Sequence, residues 1–200
     1  INGGNVFLIA SGSVVLEASG NGYDPSYCTG IKSDVDVIVN GGNLSIQCPS
    51  LGAKGISSDG NIEINGGTVN ITTAGNGAVY KNETGITDSY SAACIKSDGN
   101  ISLLVGTITC LSSGTGAKGI SADGTITIGN LAANDALLNL NVTTSGNRFL
   151  VSGSGQNADY ANPKAIKSLG NLTVNSGVIT VKCTQTTEGG EGLESKASMY

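Results

Sequence analysis

One short signature recurs along this chain and limits what it can fold into. Gly30-Ile31-Lys32-Ser33-Asp34 returns as Gly55-Ile56-Ser57-Ser58-Asp59, Cys94-Ile95-Lys96-Ser97-Asp98, Gly119-Ile120-Ser121-Ala122-Asp123, Ala165-Ile166-Lys167-Ser168-Leu169 and Gly192-Leu193-Glu194-Ser195-Lys196. The steps between the apolar anchors are 25, 39, 25, 46 and 27 residues. Behind each anchor the order is turn, strand, turn, strand, clearest from Asp59 to Thr73. Period-two alternation there puts Ile56 and Ser58, Ile62 and Ile64, and Val69, Ile71 and Thr73 on one face. Asp-Gly and Asn-Gly-Gly supply the corners. A coil of about 25 residues with three short strands cannot bury its apolar face alone, so neighbours must stack on it at ~4.8 Å and share a core.

The predicted fold is all-β: a single-stranded right-handed parallel β-helix, or β-solenoid, of about seven coils with three short strands each, forming one domain over residues 1–200. Ile1-Asn2-Gly3-Gly4 begins in mid-coil and Glu194-Ser195-Lys196 opens a coil that is not finished. Both ends therefore read as incomplete, with end-to-end contact to further repeats or to another domain expected. Composition agrees, with 31 Gly, 3 Pro and 4% aromatics beside abundant Ser, Thr, Asn, Val and Ile. That is a vocabulary of strands and turns, and almost no helix is expected.

A net charge of −5 and a single Arg, Arg148, leave no footprint for a phosphate backbone, so nucleic acid is excluded as a partner. No apolar run reaches the ~20 residues of a membrane-spanning helix, and the first residues do not read as a signal peptide, so the chain reads as a mature or excised segment. The five Cys, an odd number, exclude a complete disulfide framework. Cys48 and Cys183 take the place of Thr73, Cys110 that of Ile71, and Cys94 precedes an anchor, so these are expected as buried thiols. Cys28, in a loop, is the one expected to be reactive or paired. Six sequons, at Asn43, Asn70, Asn82, Asn100, Asn141 and Asn171, arise mostly because an outward-inward-outward strand spells Asn-apolar-Ser/Thr.

The unequal steps reveal a two-coil period. Plain coils alternate with coils that carry insertions at one corner, at residues 19–29, 74–93 and 145–164, each opening on Ser/Ala-Gly-Asn. Six of the eight aromatic residues lie in these insertions: Tyr23, Tyr27, Tyr80, Tyr90, Phe149 and Tyr160. Insertions at one corner project from one edge, so the rings are expected in a row about 9.6 Å apart, either packing the loops down or offering flat platforms on which sugars stack. These six residues and Arg148 form the candidate carbohydrate contact.

Asp34, Asp59, Asp98 and Asp123 share one outward position in four coils. Carboxylates ~4.8 Å apart repel by roughly 1 kcal/mol in water and more near a protein surface, so compensation is expected. One source is lysine: Lys32, Lys96 and Lys167 flank the ladder, and Lys54 and Lys118 precede the anchors of the other coils. The alternative is Ca²⁺ bound by the four Asp carboxylates.

These residues resemble a known family, the Ca²⁺-associated, carbohydrate-binding β-helix proteins of anaerobic bacteria, similar in fold to pectate lyases. The family unit Ala-Ile-Lys-Ser-Asp-Gly-Asn-Ile-x-Ile-x-Gly-Gly is matched at 31–42, 56–67 and 95–106, and less closely at 120–129 and 166–177. The resemblance implies an extracellular or cell-surface protein of a bacterium, described for similar proteins as cell adhesion, with a polysaccharide such as cellulose or an acidic plant polymer, or a host glycan, as partner. Leu169 replaces the motif Asp, which counts against an ion site in that coil.

Three functions follow: a non-catalytic polysaccharide-binding or adhesion module, a Ca²⁺-dependent polysaccharide lyase, and a rigid stalk within a larger surface protein. The absence of His excludes serine-histidine catalysis, and a lyase would need Lys or Arg148 as its base.

Overall fold

The structure, a computed structural model, describes residues 1–132, 137–185 and 189–200. Three parallel sheets take strands in rotation from successive repeats, an arrangement consistent with a β-solenoid. The anchor wall has six strands: Thr29–Ser33, Lys54–Ser58, Ala93–Ser97, Lys118–Ala122, Lys164–Ser168 and Glu191–Ser195. The short wall has five, Val37–Val39, Ile62–Ile64, Ile101–Leu103, Ile126–Ile128 and Leu172–Val174. The long wall has six, Asn5–Ile9, Asn43–Cys48, Thr68–Thr73, Gly106–Ser112, Leu138–Thr144 and Val178–Cys183. Among the described residues there is no α-helix, as the composition leads one to expect.

The register follows the repeat. Ile56 lies opposite Ile31 and Ile95, and Ile120 opposite Ile95 and Ile166. The positions expected to face inward do so: Ile56, Ile62, Ile64, Val69 and Thr73 are fully buried, and Ile71 and Ser58 nearly so. Each buried Ile contributes about 1.5–3 kcal/mol, and one continuous apolar cluster runs through the stack. The Ser of the motif has a task of its own. Ser58 donates to the Val35 carbonyl oxygen (2.8 Å) and Ser97 to that of Gly60 (2.6 Å), which also accepts from the Gly99 amide (3.1 Å), so the motif serine ties each corner to the preceding coil.

The corners are laced by Asn side chains. Asn65 donates to Asn40 (3.0 Å) and Asn40 to Asn2 (2.8 Å), while Asn61 Oδ1 accepts from the Asn100 backbone (3.0 Å) and Asn100 Oδ1 from that of Thr125 (2.8 Å). Asn100, in one of the six sequons, is thus occupied in inter-coil bonding. Asn82, the sequon outside the strand pattern, instead organises a hairpin turn, accepting from the amides of Thr84 and Ile86 (3.1 Å each).

The insertions are antiparallel hairpins rather than open loops. They pair Val15–Ser19 with Gly22–Ser26, Ala78–Lys81 with Thr87–Tyr90, and Phe149–Ser152 with Asp159–Ala161. The first also begins earlier than the expected 19–29. Ala10 bonds to the Gln47 carbonyl oxygen, which puts Ala10 in register with Cys48, so the counterpart of Ala74-Gly75-Asn76 is Ser11-Gly12-Ser13. Ser19-Gly20-Asn21 lies at the hairpin turn, where Gly20 takes a φ of 57°.

Candidate functional site

The outer face of the anchor wall is a strip on which Lys32, Ser57, Lys96, Ser121 and Lys167 stand in register. Along one border run Asp34, Asp59, Asp98 and Asp123; along the other rise the hairpins. Between hairpins and strip lie two cavities, of about 710 and 400 Å³, that share Tyr27, Lys54 and Lys96 in their linings and so form one trough. Glu17, Asp24, Asp59 and Asp98 face Lys32, Lys54 and Lys96 in the larger cavity. In the smaller, Asp88 and Asp123 face Lys54, Lys96, Lys118, Lys164 and Lys167. The trough therefore grades from acidic to basic along the stack.

The Asp ladder is compensated by lysine. Lys32 bridges Asp34 (3.8 Å) and Asp59, and Lys96 bridges Asp98 (2.7 Å) and Asp123 (2.8 Å), each ammonium joining its own coil's carboxylate to that of the next. Among the described residues, no three His, Cys, Asp or Glu side chains gather into a metal-holding group.

Lys54 and Lys118 do not join the ladder, contrary to the role assigned to them from sequence. Both turn toward the hairpins. Lys54, 8% exposed, donates to the Ser91 carbonyl oxygen and lies 4.3 Å from the centroid of the Tyr27 ring. Lys118 donates to the carbonyl oxygens of Gly116 (2.8 Å) and Asn162 (2.7 Å). Each thus ties the base of an insertion to a plain coil. Burial first, then neighbouring lysine charges, brings both ammonium groups down from 10.5 to about 7. Between those values the unfolded chain binds more protons than the folded one, so stability rises with pH, and the burial cost is full below about pH 7. The urea midpoint of the wild type is therefore expected to climb from pH 7 to pH 9, and Lys54→Met with Lys118→Met to flatten that climb. An unchanged slope in the double variant would overturn the assignment.

The aromatic residues divide into groups. Tyr27, Tyr80 and Tyr90 make one cluster, with Tyr90 6.1 Å from each of the other two rings, edge-on to Tyr27 and tilted to Tyr80. This is closer than a row of separate platforms about 9.6 Å apart. The cluster joins the first two hairpins. Burial, followed by Tyr80 and nearby carboxylates, holds the Tyr27 hydroxyl well above its ordinary range, so it stays a donor. Tyr160 lines the smaller cavity at 36% exposure, with the Arg148 guanidinium 4.0 Å from its ring centroid. Phe149 is half-buried against Gly77 and Gly116, where an added Cβ would stand 2.5 Å from its ring, so it packs its hairpin onto the stack. Tyr23 is exposed on the first hairpin, outside both cavity linings.

Of the candidate residues, the fold brings Tyr27, Tyr90 and Tyr160 to the trough together with Asp59, Asp98 and Asp123. Sequence reading missed Lys54, Lys118 and Lys164 as trough residues. Their signal was present in Ala53-Lys54-Gly55-Ile56 and Ala117-Lys118-Gly119-Ile120. What was missing was the hairpin that covers them.

A family model described as carbohydrate-binding domain-containing protein matches residues 1–137. No curated protein and no solved structure matches the chain.

Proposed function

The chain belongs to the family of carbohydrate-binding domain-containing proteins, and from that premise we propose that it is a non-catalytic polysaccharide-binding module of a bacterial cell surface, acting in adhesion and laying an extended glycan along the trough. On this reading the scaffold is a right-handed β-helix of about seven coils, with its length set by stacking. The observation that carries the proposal is the trough itself: a long, half-open channel edged by the Tyr27, Tyr90 and Tyr160 side chains, with ammonium groups in register along its floor and carboxylates along one border. Aromatic faces take the apolar side of a sugar ring. Carboxylates accept from its hydroxyls, and lysines and tyrosine hydroxyls donate to its oxygens. A glycan array, and retention on insoluble cellulose and pectin, test it. Retention on at least one polysaccharide is expected, and retention on none would sink the proposal.

A second reading, a polysaccharide lyase, is favoured by one observation: Lys54 and Lys118, brought down to about 7, supply amines able to accept a proton near neutrality. In such an elimination a neutral amine takes the proton beside a uronate carboxylate, the glycosidic C–O bond breaks, the leaving oxygen takes a proton from water to become a sugar hydroxyl, and an unsaturated uronate forms. On polygalacturonate above pH 7 its absorbance would rise with time; a flat trace excludes the reading for that substrate.

A further inference from the structure

Position 94 faces position 110 across the interior of one coil, and equivalent positions face each other throughout the stack. Sixteen residues separate Gly30 from Ile46, Gly55 from Ile71, Cys94 from Cys110 and Ala165 from Val181. A Cβ added at Gly30 would stand 2.6 Å from Ile46 Cγ2, one at Gly55 2.3 Å from Ile71 Cγ2, and one at Gly119 2.3 Å from Val142 Cγ1. In three coils, then, a glycine makes room for the branched side chain opposite. Cys94 lies in register between Gly55 and Gly119, and Cys110 is aligned with Ile71 and Val142. This coil alone carries sulfur at both positions. In the neighbouring coils a Cβ at the glycine position would stand closer to the side chain opposite than non-bonded atoms do, and the same backbone spacing sets a facing pair of cysteines at bridging distance.

We propose that Cys94 and Cys110 are joined by a disulfide that closes their coil across its core. The bond forms as the two thiols give up two protons and two electrons. A small-molecule disulfide takes them through a mixed-disulfide intermediate and leaves as two thiols. Both cysteines are buried, at 0% and 1% exposure, so exchange takes place during folding, while the coil is still open. The structure shows all five cysteines as thiols, with Cys94 also reaching the Ile71 carbonyl oxygen (3.6 Å), and the other three have partners elsewhere. Cys28 accepts from the Gly12 amide (3.0 Å), Cys48 donates to the Lys54 carbonyl oxygen (3.3 Å) and Cys183 accepts from Thr144 (3.1 Å). The pairing thus falls inside the core and away from Cys28, where the sequence pointed. It also braces the strand Ala93–Ser97, which leaves the second hairpin just after Tyr90.

The test uses the full chain, unfolded and refolded either in a glutathione redox buffer or with a reductant. The oxidised sample is expected to show two fewer thiols on titration in denaturant, a mass lower by two hydrogens, a peptide linking Cys94 to Cys110 and a higher Tm than the reduced sample. All five thiols still titrating, or Cys94 linked instead to Cys48 or Cys28, would overturn the proposal. Cys94→Gly with Cys110→Ile recreates the pairing of the neighbouring coil and is expected to abolish the redox dependence of Tm. If this variant folds and keeps the difference, the bridge lies elsewhere; if it does not fold, the peptide map of the wild type still decides.

Discussion

Gly114→Ala is expected to cost about 3 kcal/mol or more, lowering the urea midpoint sharply, because the added methyl has no place to go. Gly75, Gly114 and Gly146 stand one above another where successive coils turn from the long wall toward the anchor wall. A Cβ at Gly75 would lie 1.6 Å from the Ser50 carbonyl oxygen, one at Gly114 1.8 Å from that of Gly75, and one at Gly146 1.7 Å from that of Gly114. The obstacle in each case is backbone, which cannot rotate aside as a side chain could. Relief would require neighbouring coils to part, at the expense of parallel ladder bonds and of the core beneath them. Gly3→Ala, where nothing lies within 4 Å of the added atom, should be indistinguishable from wild type and serves as the control. A loss below about 1 kcal/mol for Gly114→Ala would mean that the stack yields more readily than its geometry indicates.

The largest functional effect is expected at the hairpin edge of the trough. Replacing Tyr160 by Ala should weaken retention on whichever polysaccharide binds about tenfold, and adding Tyr90→Ala should bring the loss to about a hundredfold, taking each ring as worth roughly 1.4 kcal/mol. Tyr23→Ala, exposed outside the trough, should bind as wild type does. The comparison is made by affinity electrophoresis or calorimetry, with Tm recorded for each variant. If Tyr23→Ala loses binding while Tyr160→Ala keeps it, the glycan lies on the outer side of the hairpins and the trough is not the site.

The sequence carried the scaffold well because a repeat reports the same environment several times. Ile31, Ile56, Ile95, Ile120 and Ile166 occupy one register, and a reading that holds at Ile56 holds at its partners. Departures were legible for the same reason: Leu169 stands out only against four aspartates. The insertions occur once each and report nothing twice. Val15, Val79 and Leu150 are exposed hairpin residues, and the faces opposite Val79 and Leu150 are only half-buried and one or two residues long, too short for a period to show in the sequence. Ser19-Gly20-Asn21 imitated the opening of the other two insertions and hid the true boundary near Ser11. Lys54 and Lys118 read as surface charges because sequence alone does not show that a hairpin folds over them. The tyrosine cluster escaped for a related reason: ring contacts between successive insertions depend on how each hairpin leans, and spacing along the chain is silent about that.

The alternation of plain and hairpin-bearing coils has a consequence for how such a module changes size. The wall strands of each coil pair only with those of its neighbours, and each hairpin meets the hairpin two coils away, so duplicating one pair adds a hairpin, two rungs of the floor and a stretch of channel by repeating kinds of contact the stack already makes. Affinity for a polymer would then grow by avidity, each added unit engaging the same strand at high effective concentration. A lineage could thereby tune its grip on a fibre by changing copy number, with no new binding residue to invent.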